Sequence, residues 1–221
     1  MFLASLASIA LTAACPSNVA NDLRPQPAGS QLITVEAAST KTTYATLRTW
    51  RRSGGCWVAV GGPYAARVGH NGTRKNRREG DGTTPIGTFR IGRVMYGNEP
   101  NPGVKFRYQR LRCGDWWNED PSSPTYNSLQ RLRCGHPPPF RVTGLGMWQE
   151  RTAYPHLAVV EFNMHPVVPG RGSGIFLHAQ TGRPTNGCIS LRRADLVRVL
   201  RWLSPQAAPR IAIGTRGELG S

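Results

Sequence analysis

One segment alone in this 221-residue chain carries a helical period. Within residues 194–203, Leu196, Val199, Leu200 and Leu203 fall at i, i+3, i+4 and i+7, and Pro205 stops the run. The other apolar residues come in short runs or alternate with polar ones. A chain of this length with one short helix has to build its core by pairing strands. The punctuation agrees, with 25 Gly and 18 Pro against 39% apolar residues. Residues 31–37 and 43–51 alternate and predict an antiparallel pair turning at 38–41. Residues 56–60 predict a buried strand and 64–68 another. Further strands are expected at 157–162, 175–178, 188–191 and 209–214. Residues 97–140 carry turn formers and aromatics with little periodicity, as a functional loop or lid does. We find no internal repeat. The expectation is a mainly β domain over 31–216, after a linker at 16–30.

The formal net charge is +16, and only Lys41, Lys75 and Lys105 of the 28 basic residues are lysines. Such a charge draws the chain to polyanions: nucleic acid, an anionic membrane or an anionic cell-wall polymer. The one dense run, residues 74–78, reads as a solvated loop, and no nucleic-acid motif accompanies it. Residues 1–14 are uncharged and apolar, too short to span a bilayer but suited to a secretory signal. Leu11-Thr12-Ala13-Ala14-Cys15 is close to a lipobox, so 1–15 predicts export, with Cys15 a possible lipid anchor and the only link to a membrane.

Export implies persistent disulfides. Cys113 and Cys134 each end the string Arg-Leu-Arg-Cys, followed by Gly, and are expected to pair across one long loop. Cys56 is expected free and buried beside Trp57. No CxxC or HxxxH spacing occurs, so no metal site is expected.

The chemistry concentrates in residues 174–191. An apolar run ends in His178, a turn-rich segment of nine residues follows, and Cys188 opens a second apolar run. A strand–loop–strand there brings a thiol to an imidazole, the minimum for a cysteine nucleophile with a histidine base. The same residues also suit a buried structural thiol beside a core histidine. Thr185 either caps the turn or hydrogen-bonds substrate. Trp117 and Tyr126 read as anchors of the disulfide loop, and His70, His136, His156 and His165 as loop or surface residues.

Two motifs carry a resemblance. The run from Asp81 to Phe89, Asp-Gly-Thr-Thr-Pro-Ile-Gly-Thr-Phe, resembles the DGxTPxGxF signature of the L,D-transpeptidase catalytic domain (YkuD-like) family. His178 followed by Thr-Asn-Gly-Cys-Ile-Ser-Leu at 185–191 resembles its active-site signature. Asn186 stands where that signature has histidine, Ser190 where it has Arg or Asn, and the segment between His178 and Cys188 is shorter than usual. Residues 116–127 look like an insert of exported, actinobacterial-type members.

The resemblance implies a single β-sandwich or barrel domain with one helix packed after the cysteine. It implies a peptidoglycan L,D-transpeptidase that needs no cofactor. Cys188 would attack a stem tetrapeptide as a thiolate, with its pKa lowered by imidazolium and backbone N–H groups. His178 would be general base and acid, its ring oriented by a backbone carbonyl. The N–H groups of Asn186, Gly187 and Cys188 would form the oxyanion hole. Thr185, Ser190 and Arg183 are candidate substrate contacts. The expected partners are stem peptides and anionic wall polymers, outside the cell. Two alternatives stay open: an L,D-carboxypeptidase or other cysteine peptidase on murein peptides, and a non-catalytic basic wall-binding protein.

Overall fold

The computed structural model describes residues 14–220. Most of the expected signal segment, residues 1–13, lies outside them.

The strands are β1 (Gln31–Ala37), β2 (Tyr44–Ser53), β3 (Cys56–Arg67), β4 (Thr73–Arg74), β5 (Thr84–Pro85), β6 (Gly87–Gly97), β7 (Arg107–Arg110), β8 (Asp115–Asn118), β9 (Ser128–Arg131), β10 (Leu157–Val160), β11 (Phe176–Ala179) and β12 (Ile189–Leu191). Helix α1 (Arg193–Trp202), strand β13 (Arg210–Thr215) and the short helix α2 (Arg216–Leu219) complete the chain. One sheet runs in the order β10-β11-β12-β3-β2-β1-β13-β6-β7. β10 also pairs with β6, which closes the sheet into a barrel and removes the open edge between them. The structure is mainly β. No helix among the described residues is long and apolar enough to cross a membrane.

Strand alternation explains the layers. On β10, β11 and β12, Ala158, Val160, Leu177, Ala179, Ile189 and Leu191 point into one core with Ile33 and Val35 of β1 and Ile211 and Ile213 of β13. Leu196, Val199, Leu200 and Leu203 bring α1 against that core, so the helical period is used as read. The alternate residues Leu157, Val159, Phe176 and Cys188 face outward into a second cluster, covered by Leu111, Met147, Trp117 and Tyr154. These strands are buried on both faces, which is why they read as continuous apolar runs.

Three expectations change. Cys56–Arg67 form one long strand, and it is not buried: Val58 and Val60 are 48% and 42% exposed, while Trp57 beneath is fully covered. Residues 16–30 are a packed pad, not a linker. Val19, Ala20 and Leu23 bury with Leu32, Trp50 and Trp57, and Asn21 Oδ1 and Gln26 Oε1 accept from the backbone and indole N–H of Trp57 at 2.7 and 2.8 Å. Cys56 is not free: it is disulfide-bonded to Cys15. That sulfur is then unavailable for a lipid thioether, so the lipobox reading of Cys15 gives way to a structural bridge.

The expected Cys113–Cys134 disulfide is present. It staples the open end of the β8–β9 hairpin, which pairs Asp115 with Arg131 and Asn118 with Ser128. Residues 97–140 are therefore partly structured. Tyr126 is buried, and its hydroxyl donates to Glu79. His156 is buried too, with Tyr108 Oη 2.9 Å from its Nδ1.

Candidate active site

β11 and β12 are parallel neighbours, with Leu177 opposite Ile189 and His178 opposite Ser190. Cys188 therefore lies alongside Phe176, on the same face as His178 and diagonal to it. Parallel neighbours usually need a long crossover. Here nine residues suffice because the returning chain is pinned to the loop after β3. The Thr185 N–H donates to the Val68 carbonyl at 3.0 Å, and the His70 N–H to the Thr185 carbonyl at 2.8 Å.

The turn before the cysteine is held by Thr185. Its Oγ1 donates to the Cys188 carbonyl at 2.7 Å and accepts the Gly187 N–H at 3.1 Å. Thr84 Oγ1 donates to the same carbonyl at 3.2 Å and accepts the Gly69 N–H at 2.8 Å. The two sequence motifs thus meet physically at the backbone of Cys188. Thr185 caps the turn, and the Gly187 N–H, expected in an oxyanion hole, is spent on that cap. Gly187 has φ +135°, a conformation that favours glycine.

Cys188 is the one free cysteine among the described residues and is 8% exposed. Its Sγ accepts the Phe176 N–H at 3.3 Å and donates to the Gly174 carbonyl at 3.2 Å. Burial pushes the thiol up to about 12, and the nearby carboxylate of Glu119 adds to this, against the Phe176 N–H and the Arg77 cation. His178 is 7% exposed, and burial drives it down to about 4, against bonds to the Ala179 and Ala153 carbonyls. Nδ1 lies 2.8 Å from the Ala179 carbonyl, which can only accept. That places the proton on Nδ1 and leaves Nε2 as the acceptor. The ring is oriented by a backbone carbonyl, as expected. The expected thiolate–imidazolium pair is not the resting state, because burial disfavours both charges and leaves a neutral thiol and a neutral imidazole.

The thiol opens into a cleft of about 740 Å³ lined by Arg77, Trp117, Glu119, Tyr154, Phe176 and Asn186 among others. Trp117 and Tyr154 stand edge-on to Phe176 at 5.0 and 5.7 Å, and Tyr154 is edge-on to His178 at 5.4 Å. Asn186 is exposed at the rim. Ser190 is fully buried, with no hydrogen-bond partner for its Oγ among the described residues, so it is not placed to contact substrate. Arg183 is exposed and does not line the cleft. No metal-binding cluster occurs among the described residues.

Four cleft residues escape a sequence reading. His70, read as a loop residue, holds the turn before Cys188 through its backbone N–H, with its Nδ1 3.2 Å from the Thr185 carbonyl. Tyr154 and Glu119 come from segments without periodicity. Arg77 belongs to the basic run read as solvated, yet is 4% exposed. Nothing in the run distinguishes it from its neighbours.

The family model for the L,D-transpeptidase catalytic domain matches residues 30–215. Among solved structures the chain is similar to the helical cell shape determining protein Pgp2 from Campylobacter jejuni, with 12% identity and a TM-score of 0.39. That alignment covers 85% of this chain and 48% of Pgp2, so the chain spans about half of that protein's length. No curated protein matches. With the family match running from the first residue before β1 to the end of β13, the chain belongs to the L,D-transpeptidase catalytic domain family.

Proposed function

We propose that this protein is a cysteine acyltransferase on peptidoglycan stem peptides, an L,D-transpeptidase. The observation that carries the reading is the pairing of the one free thiol, at the floor of a cleft, with an imidazole on the same sheet face whose Nδ1 is locked to the Ala179 carbonyl. Such an imidazole holds one tautomer, with Nε2 unprotonated, and cannot change it without losing that bond.

Cys188 Sγ attacks the carbonyl of the penultimate residue of a stem tetrapeptide. The S–C bond forms as the thiol proton passes to His178 Nε2. The C–N bond then breaks, and that proton goes to the departing amine of the terminal amino acid. In the second half an acceptor amine attacks the thioester, its proton passing through the same imidazole to the cysteine sulfur. Since the resting pair is neutral, proton transfer accompanies attack. With the Gly187 N–H committed to Thr185, the N–H groups of Asn186 and Cys188 are the ones assigned to the oxyanion. Two disulfides support an extracellular location, where such bonds persist. A net charge of +16 suits retention by anionic wall polymers.

The test is incubation with disaccharide-tetrapeptide and mass analysis of products. Cross-linked dimer is the expected product. Tripeptide alone would make the protein a carboxypeptidase, with water as acceptor. No turnover by the protein, and no covalent adduct on Cys188 with a carbapenem, would leave only wall binding.

A further inference from the structure

We propose that a groove separate from the Cys188 cleft binds an anionic polyol or glycan chain, and that Arg90, Arg93 and Arg210 hold the phosphodiester or carboxylate groups of that chain. The proposal rests on the retention by wall polymers proposed above, to which it gives a defined seat, and not on acyl transfer.

The groove has a volume of about 780 Å³ and runs over β6. Arg90 of β6 and Arg210 of β13 line it and are antiparallel register partners. Directly opposed residues share one face of a sheet with Cβ atoms about 5 Å apart, and like charges at that distance are destabilising. Among the described residues no ion pair includes Arg90, Arg93 or Arg210. Arg210 is half-buried, and burial and the Arg90 cation lower it from its ordinary value, with Glu161 opposing them. Glu161 is the one carboxylate among the described residues that line the groove, and its ion-pair partner is His165, whose Nε2 lies 3.5 Å away. Three guanidinium groups against one carboxylate leave the groove cationic. Two guanidiniums side by side suit one oxyanion that offers two oxygens.

Arg93 reaches the groove through a bulge. Between shared pairings β6 advances from Ile91 to Met95 while β10 advances only from Val160 to Ala158. Ile91 and Met95 are both buried in the core, and alternation alone would send Arg93 there with them. The extra residues of β6 break that alternation and leave Arg93 exposed, lining the groove. Residues three apart on an extended strand are separated by about 10 Å. One small anion does not span Arg90 to Arg93 at that distance, whereas groups on successive repeats of a chain do. Val94, Tyr96 and Met164 also line the groove and are only partly buried, so they offer apolar surface to the carbon skeleton between the anions. Trp117 lines this groove and the Cys188 cleft alike, so a chain seated here lies beside the cleft.

The test is binding of two labelled oligomers, one of glycerol phosphate and one of galacturonate, read by fluorescence anisotropy at physiological salt. At least one should bind, and the tighter of the two identifies the anion as phosphodiester or carboxylate. Arg90→Gln combined with Arg210→Gln should weaken that binding at least about 10-fold, as loss of a charged hydrogen-bonded contact does. Removing the same charge at Arg133 and Arg192, which are exposed and outside the groove, should change it by less than about twofold, since salt screens distant charges. In the unaltered protein the oligomer should shield Arg90, Arg93 and Arg210 from phenylglyoxal more than Arg133 and Arg192, a readout that needs no variant to fold. No binding of either oligomer, equal losses in the two double variants, equal shielding of all five arginines, or tighter binding of single-stranded DNA of the same charge would overturn the proposal. Cys188→Ala should bind the oligomer as the unaltered protein does. Oligomer binding without stem-peptide turnover would uphold the groove and remove the acyl-transfer reading, and turnover without oligomer binding would do the reverse.

Discussion

His178 stands opposite Ser190 and Cys188 two residues earlier, alongside Phe176, so thiol and imidazole share one face of a parallel strand pair. The Phe176 N–H at 3.3 Å and the Gly174 carbonyl at 3.2 Å hold the sulfur against β11. The Cys188 sulfur is held by backbone groups, and the His178 ring by the Ala179 carbonyl at 2.8 Å. Both groups rest uncharged.

A neutral thiol has a direct consequence for its reactivity. Burial sets Cys188 at about 12, so its thiolate fraction rises about tenfold per pH unit through the accessible range. Alkylation of Cys188 by iodoacetamide, followed by intact mass, should climb from pH 7 to pH 10 with no plateau. A plateau near pH 6 would instead reveal a preformed thiolate.

The same pair shapes stability. His178 titrates at about 4 when folded and at 6.5 when unfolded. Between those values the unfolded state binds more protons, so stability falls as pH drops from about 6.5 to 4. Such a shift corresponds to about 3 kcal/mol. Cys188 acts in the other direction: with a folded value of about 12 against 9.0 unfolded, it costs stability as pH rises above 9. Denaturant midpoints across pH should therefore form a dome, and His178→Gln should flatten its acid side.

Thr185 closes the turn before Cys188 with two hydrogen bonds, to the Gly187 N–H and the Cys188 carbonyl. Thr185→Val removes both and leaves a buried N–H unpaired, at a cost of about 1–3 kcal/mol. Melting temperature should fall, and Cys188 acylation should slow by at least tenfold because the thiol loses its fixed position. Thr185→Ser should restore most of both.

The Cys15–Cys56 bridge closes a loop over a sequence separation of 41 residues. Loop-closure entropy predicts about 4 kcal/mol from it. Cys56→Ala should lower the denaturation midpoint accordingly. It should also raise hydrogen exchange at residues 18–26, since the pad over Trp57 would then be held by its side chains alone.

The parts of the fold that were legible share a cause: they rest on local pattern. The period of Leu196, Val199 and Leu200 marked α1, and alternation marked β1 and β2. The Cys113–Cys134 pairing followed from two matching turn contexts at the ends of one hairpin. Misreadings came where partners are distant. Val19 and Leu23 look like linker residues until Trp57 is brought beneath them. Val58 and Val60 look like core, but they occupy the outward face of a strand whose inward positions are small or taken by Trp57. Nothing near Cys15 in the chain indicates that Cys56 lies within bonding distance.

By itself the sequence determined the class of fold and the candidate thiol and imidazole, because strand periods, a histidine ending one apolar run and a cysteine opening the next are properties of contiguous residues. The tertiary structure decided how those groups are charged and what surrounds them. It made β11 and β12 parallel, which puts Cys188 beside Phe176 and diagonal to His178 instead of directly across a hairpin turn from it. It buried both groups, which removes their charges. It also drew one arginine of a basic run beneath Gly187 and left the others in solvent. Burial and the approach of distant segments depend on the closed barrel, and no stretch of sequence encodes them alone.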